Sequence, residues 1–207
     1  MAITRDIDPS RRFSVINGRM DWYEITFKGV FSLGSLYKMM HDWLRVHKFV
    51  SRDGTKNIEQ FEEYYYEKTL PGGGAKNMWM WWRVEKQPPT DMFLYHVNIE
   101  FQVLAIKEKE VMYQGKKVKM DEGEVTVRIF GDLLVDPHGE WKKNWIARAK
   151  TFTFRKKFYE EQTDVREIEL NTFLVELANE IKQFLGMLTN VRVEKPFHPE
   201  LGYPQQV

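Results

Sequence analysis

The sequence predicts an α+β fold: an antiparallel β-sheet of about six to seven strands, one helix after the first strand, and a long C-terminal helix packed on the sheet. Three observations predict it. Apolar and polar residues alternate over several stretches between about residues 20 and 135, the two-residue period of half-buried strands. Clear helical spacing follows Ser32 and Asp164. The 207 residues, 43% hydrophobic and 29% charged, suffice for one domain with a real core. The organisation expected is an N-terminal arm over 1–19, a single α+β domain over 20–189 and a C-terminal tail over 190–207.

In DWYEITFKGVF, Tyr23, Ile25 and Phe27 alternate with Glu24, Thr26 and Lys28, which predicts a strand. Ser32 can cap a helix carrying Leu33, Leu36, Tyr37, Met40, Trp43, Leu44 and His47, and SRDGTKN ends it, with Gly54 as a turn. IEQFEEYYYEKTL is a strand, PGGG a loop, and NMWMWWRVEKQ a strand closed by Pro88 and Pro89, which lack the amide hydrogens a ladder needs. The clearest strand is MFLYHVNIEFQVLAI, with Phe93, Tyr95, Val97, Ile99, Phe101 and Val103 on one side. Two hairpin connections are expected next, at Gln114-Gly115 and Glu122-Gly123, and the last strand alternates through Val125, Val127, Ile129, Leu133 and Val135. DPHG is a turn, and WKKNWIARAKTFTFRKKFY favours a strand through TFTF, against a helix in which Trp145, Ala149 and Phe152 would share a face. Asp164, with Glu167 three residues on, can cap a long helix with Ile168, Leu174, Leu177, Ala178, Ile181, Phe184, Leu185 and Leu188 on one face.

This order of strand, helix, antiparallel strands and long C-terminal helix resembles the START-like, or helix-grip, superfamily over roughly residues 20 to 188. The run YQGKKVKMDEGEVTVRIFGDL is also similar to a set of small archaeal proteins. A helix-grip fold implies a cavity between sheet and last helix, with Phe93, Tyr95, Val97 and Phe101 facing Leu177, Ile181 and Phe184 as its walls. Solid packing of the same residues is the expectation to weigh against it, because interiors are normally close-packed.

Chemistry leaves little mark. No cysteine is present, which removes disulfides and thiol catalysis and fits a reducing compartment. Neither a signal peptide nor an apolar run long enough for a membrane span is seen, so a cytoplasmic protein is expected. PGGGAKN lacks the spacing of a phosphate loop and precedes a strand rather than a helix. Of His41, His47, His96, His138 and His198, only His96, on a polar strand face beside Asn98 and Glu100, offers a general base. Neighbouring carboxylates such as Glu62 and Glu63, or Glu160 and Glu161, would point apart on a strand. The expectation is a non-enzymatic chain with no catalytic residue, metal site or cofactor.

Surface pattern is more informative. In NMWMWWRVEK, Met78, Met80 and Trp82 share one strand face, leaving Trp79 and Trp81 on a face that should be polar; Tyr64 and Tyr66 repeat this in the preceding strand. Between Trp141 and Tyr159 lie Lys142, Lys143, Arg148, Lys150, Arg155, Lys156 and Lys157 with no acid, whereas residues 160–180 hold seven acids against Arg166 alone. The leading expectation is a structural or interaction subunit, a homo-oligomer or part of a larger assembly, using Tyr64, Tyr66, Trp79 and Trp81 as anchors and the charged segments as complementary patches. The alternative is a START-like carrier or sensor of an apolar small molecule or lipid in the cavity named above. The third is RNA or anionic-membrane binding through the basic aromatic segment 141–159, which a net charge of +1 disfavours for nucleic acid.

Overall fold

The computed structural model of the chain describes residues 12–14, 23–52, 60–72, 74–89, 92–113, 116–137 and 160–187. Within them, strands β1 (Arg12–Ser14), β2 (Tyr23–Phe31), β3 (Val50–Ser51), β4 (Glu62–Thr69), β5 (Lys76–Lys86), β6 (Phe93–Tyr113) and β7 (Lys116–Val135) form one antiparallel sheet. Helix α1 (Leu33–Val46) follows β2, and α2 (Glu160–Phe184) follows the sheet in the chain. The centre of the sheet is β7, β6 and β5 in that order. β1 and β2 lie end to end along the free side of β7, and β3 and β4 do the same along β5. Arg12–Ser14, read above as part of an arm, are thus a short strand of the sheet.

Alternation decides which face is buried. Phe93, Tyr95, Val97, Ile99, Phe101 and Val103 of β6 are all buried, as are Val125, Val127, Ile129, Leu133 and Val135 of β7 and Met80, Trp82 and Val84 of β5. Helix α1 covers this face with Leu36, Met39, Met40, Trp43 and Leu44. The Ser32 side chain accepts from the Ser35 amide at 3.3 Å, the cap expected from sequence, and Asp121 of β7 accepts the Leu33 amide at 2.9 Å. A carboxylate at a helix N-terminus is favourable twice over, satisfying an orphan amide and opposing the helix dipole.

Helix α2 packs its stripe Leu170, Leu174, Leu177, Ile181 and Leu185 into the same core, chiefly against β7 and β2. Two details differ from the sequence reading. The helix begins at Glu160, so Asp164 lies inside it; the early acids Glu161 and Asp164 suit the positive end of the dipole. Ile168 falls off the stripe and is exposed. Close approach of α2 to the sheet depends on Gly131, where an added Cβ would lie 2.5 Å from a methyl of the buried Leu174.

No turn forms at Glu122-Gly123, contrary to expectation: β7 runs unbroken through both residues. Here Ala105 and Ile106 of β6 face Gly123 alone, a β-bulge, with Ala105 in the left-handed region at φ 54°. A Cβ at Gly123 would lie 2.9 Å from Ile106 Cα and 3.0 Å from the Leu104 carbonyl oxygen. The glycine is there for space. The Asn77 side chain of β5 accepts the Ala105 amide at 2.8 Å and fixes the bulge from the other side. Past the last β2 pairs, Val30–Glu122 and Phe31–Asp121, β6 and β7 continue as a two-stranded ribbon, its ends Tyr113 and Lys116 flanking the expected connection at 114–115. Diagonal ion pairs line it: Lys109–Glu122 at 2.6 Å, Lys119–Glu108 at 3.5 Å and Lys117–Glu110 at 3.6 Å. Gln114, Gly115, Gly54, the segment expected as a strand after DPHG, the remaining arm residues and the tail lie outside the described residues.

The bulge generates a pair of opposite expectations. Ala105→Gly relieves the left-handed conformation and should raise stability by roughly 0.5–1 kcal/mol. Gly123→Ala drives a methyl into backbone and should lower it by about 1–3 kcal/mol. Urea midpoints of the two variants read both signs, and a stabilising Gly123→Ala would refute the close approach.

Candidate functional site

The face of the sheet turned away from the helices is organised in rows set by register. Tyr66, Trp79, Gln102, Thr126 and Thr26 form one row across β4, β5, β6, β7 and β2; Tyr64, Trp81, Glu100, Arg128 and Glu24 form the next. Further along, Arg83 lies beside Asn98, and Glu85 beside His96, which in turn faces Asp132. The period of two places all of these on one side.

At the β4–β5 end the rows are aromatic and open. Tyr64 stacks on Trp81 with ring centres 4.4 Å apart, and Tyr66 tilts against Trp79 at 5.5 Å. Tyr64, Tyr66 and Trp81 remain 40%, 46% and 38% exposed. The four residues singled out from sequence therefore meet as two cross-strand aromatic pairs. Trp82, by contrast, is fully buried on the opposite face, edge-on to Tyr37 and Phe101. Beside the aromatics Arg83 donates to Glu100 at 3.0 Å, lies 3.6 Å from Glu63, and holds its guanidinium 5.6 Å from the Trp81 ring centre.

Towards β7 the same face becomes polar and buried. Arg52 donates to the Asn98 side chain at 2.8 Å, and His96 Nε2 lies 3.4 Å from Glu85. His96 and Asp132 are buried. Burial pulls the His96 imidazole below its ordinary value of 6.5; the hydrogen bond to Glu85 opposes this, and the charge of Arg52 adds to it. Arg128 and Glu24 pair at 2.7 Å, and the hydroxyls of Thr26 and Thr126 meet at 3.0 Å.

The proposed cavity walls sit elsewhere. Phe93, Tyr95, Val97, Phe101, Leu177 and Ile181 are buried together in one continuous core cluster, with Phe184 packed against it. Tyr95 donates to Glu169 of α2 at 2.7 Å, and Arg166 holds the same carboxylate at 2.6 Å. Burial and that hydrogen bond push the phenol well above its ordinary value, so it stays protonated. An open groove of about 410 Å³ lies instead between α1 and the β4–β5 edge, lined by Leu33, Gly34, Tyr37, Glu62, Tyr65, Met78 and Met80. Lys142, Lys143, Arg148, Lys150, Arg155, Lys156 and Lys157 lie outside the described residues, as do His138 and His198. His41 packs on Phe61 and His47 stacks on Trp43.

Sequence reasoning passed over Arg83, Glu63 and Glu100 as members of the aromatic face. For Arg83 and Glu100 the signal was parity, since Arg83 shares a strand side with Trp79 and Trp81 and Glu100 stands opposite Trp81. Glu63 is out of step with Tyr64 and Tyr66 and reaches Arg83 beside the irregularity in β4, which the sequence does not show. Among the described residues no group of three or more His, Asp or Glu side chains is placed to hold a metal, and no helix is long and apolar enough to cross a membrane. No family model matches the chain, and no curated protein matches it significantly.

The buried histidine implies a pH dependence with a definite sign. Because the folded state depresses the His96 pKa, the unfolded chain takes the proton first. The associated stability is complete above the ordinary value of 6.5 and is lost as pH falls through the lowered folded value. Unfolding midpoints measured from about pH 8 down to about pH 5 should fall less steeply for His96→Gln than for the parent. Equal slopes would show that His96 titrates alike in both states.

Proposed function

We propose that this chain is a non-enzymatic interaction subunit that assembles with copies of itself or joins a larger complex, using the outer face of β4 and β5 as its contact surface. One observation carries the reading: two ordered aromatic pairs, Tyr64–Trp81 and Tyr66–Trp79, stand partly open to water on a sheet face beside an arginine already held by two carboxylates. Tyr, Trp and Arg are the residues enriched at interface hot spots, and exposed apolar clusters of this kind mark contact surfaces. Pre-ordering matters here. Stacked rings and a paired guanidinium have surrendered their rotamer freedom before any partner arrives, so less entropy opposes association.

The architecture is helix-grip-like in this reading, with α2 packed against β7, β2 and α1. The acids of α2 and the basic segment 141–159 would add charge complementarity between subunits.

Light scattering on a sizing column, over micromolar concentrations at low and physiological salt, should return a mass that is a multiple of 24.8 kDa. Replacing Trp79 and Trp81 together by serine should weaken association by about ten-fold or more while leaving the far-ultraviolet circular dichroism unchanged. A monomer at every concentration and salt would remove self-assembly.

A further inference from the structure

We infer that two copies of the chain join edge to edge along β4, extending the sheet across a twofold axis through Tyr65. This rests on the self-assembly reading above and names the surface it uses.

β4 is an open edge. It hydrogen-bonds to β5 on one side, and among the described residues nothing pairs with the other. From Glu63 to Thr69 every side chain is exposed, whereas β2, the edge strand opposite, is partly buried along most of its length. An eight-residue edge offers a row of unpaired amides and carbonyls, a template for another strand. Natural edges are normally blunted by proline, inward charge or a central bulge. β4 contains no proline, its one irregularity falls at the end, between Glu62 and Tyr64, and its inward Glu67 is neutralised within the chain by Lys76 at 2.8 Å.

The strand is also nearly self-complementary. A twofold axis perpendicular to the sheet sets Tyr65 opposite itself and Tyr64 opposite Tyr66 of the second copy, while Glu62, beyond the irregularity, turns to the helix side and accepts from Tyr37. Glu63 then faces Glu67, yet each is already partnered in its own chain, Glu63 with Arg83 at 3.6 Å and Glu67 with Lys76 at 2.8 Å. This register keeps both outer faces on the same side. The aromatic pairs therefore continue over the seam: Trp81 and Tyr64 of one copy meet Tyr66 and Trp79 of the other, twice. Cross-strand aromatic contacts of this kind stabilise sheets, and the run of tyrosines symmetric about Tyr65 selects a second copy over an unrelated strand.

The chain has no cysteine, which makes the test clean. Across an antiparallel pair the Cα atoms lie about 4.5–5.5 Å apart, within disulfide range. Tyr65→Cys should therefore oxidise to a covalent dimer at least about ten-fold faster than Lys38→Cys, on the exposed side of α1, because the strand pairing raises the effective thiol concentration. Tyr65 lies on the side of β4 away from the Tyr64 and Tyr66 pairs, so the substitution leaves them in place. In a second test, Tyr64→Glu and Tyr66→Lys should each weaken association alone, and an equimolar mixture of the two, which sets the new carboxylate opposite the new ammonium, should restore it. If the parent protein is multimeric but neither cross-linking nor mixing shows these effects, edge pairing is wrong and assembly proceeds through another surface. If the parent is monomeric and Tyr65→Cys oxidises no faster than Lys38→Cys, both readings fall.

Discussion

Every other strand reaches the sheet through β5, β6 or β7, and the pairing of β6 with β7 sets the frame for them all. It runs from Phe93 opposite Val135 to Tyr113 opposite Lys116, with one interruption. Because side chains alternate faces, a slip of one residue along this pair would carry Phe101 and Val127 to the solvent side and Arg128 and Glu100 into the core. The core, the seat of α1 on Asp121, the approach of α2 at Gly131 and the outer rows all presuppose this register.

That dependence explains how the outer face can be so uneven. Once the register is pinned by burial on the helix side, the other face is free to carry residues that contribute little to folding. Arg52, Asn98, Glu85 and His96 use this freedom to make a polar network near β7. Tyr64, Tyr66, Trp79 and Trp81 use it differently: they gain from one another by stacking, yet leave apolar surface in water. Such surface is a standing liability unless something covers it, which is why the interaction reading follows from the face.

Much of the fold was legible in the sequence where a period was clean. The alternation in FLYHVNIEFQV, the Ser32 cap and the split of Met80 and Trp82 from Trp79 and Trp81 all follow from local geometry. Gly123 was misread because a glycine between two glutamates looks like a turn; its role depends on Ala105 and Ile106, which are distant in the chain and visible only after pairing. Ile168 misled for a related reason, since a helix with acids on several sides admits more than one apolar stripe until a sheet selects it. The four aromatics of the candidate surface were readable from parity alone, but their stacking partners required the β4–β5 register, and the openness of β4 required knowing which strands stand at the edge.

The bulge at Ala105 has a consequence for how this molecule can vary. In an ordinary hairpin the turn sets the register, so a change in loop length is felt along both strands. Here the left-handed Ala105, the space at Gly123 and the Asn77 anchor hold the two strands in step well before the tip. Past Asp121, which still pairs with β2 and holds the start of α1, the ribbon is thereby insulated from the core. It can lengthen, shorten or exchange its charged ladder in steps of paired residues without displacing Phe93 to Val103, making the tip a module whose divergence the domain can tolerate.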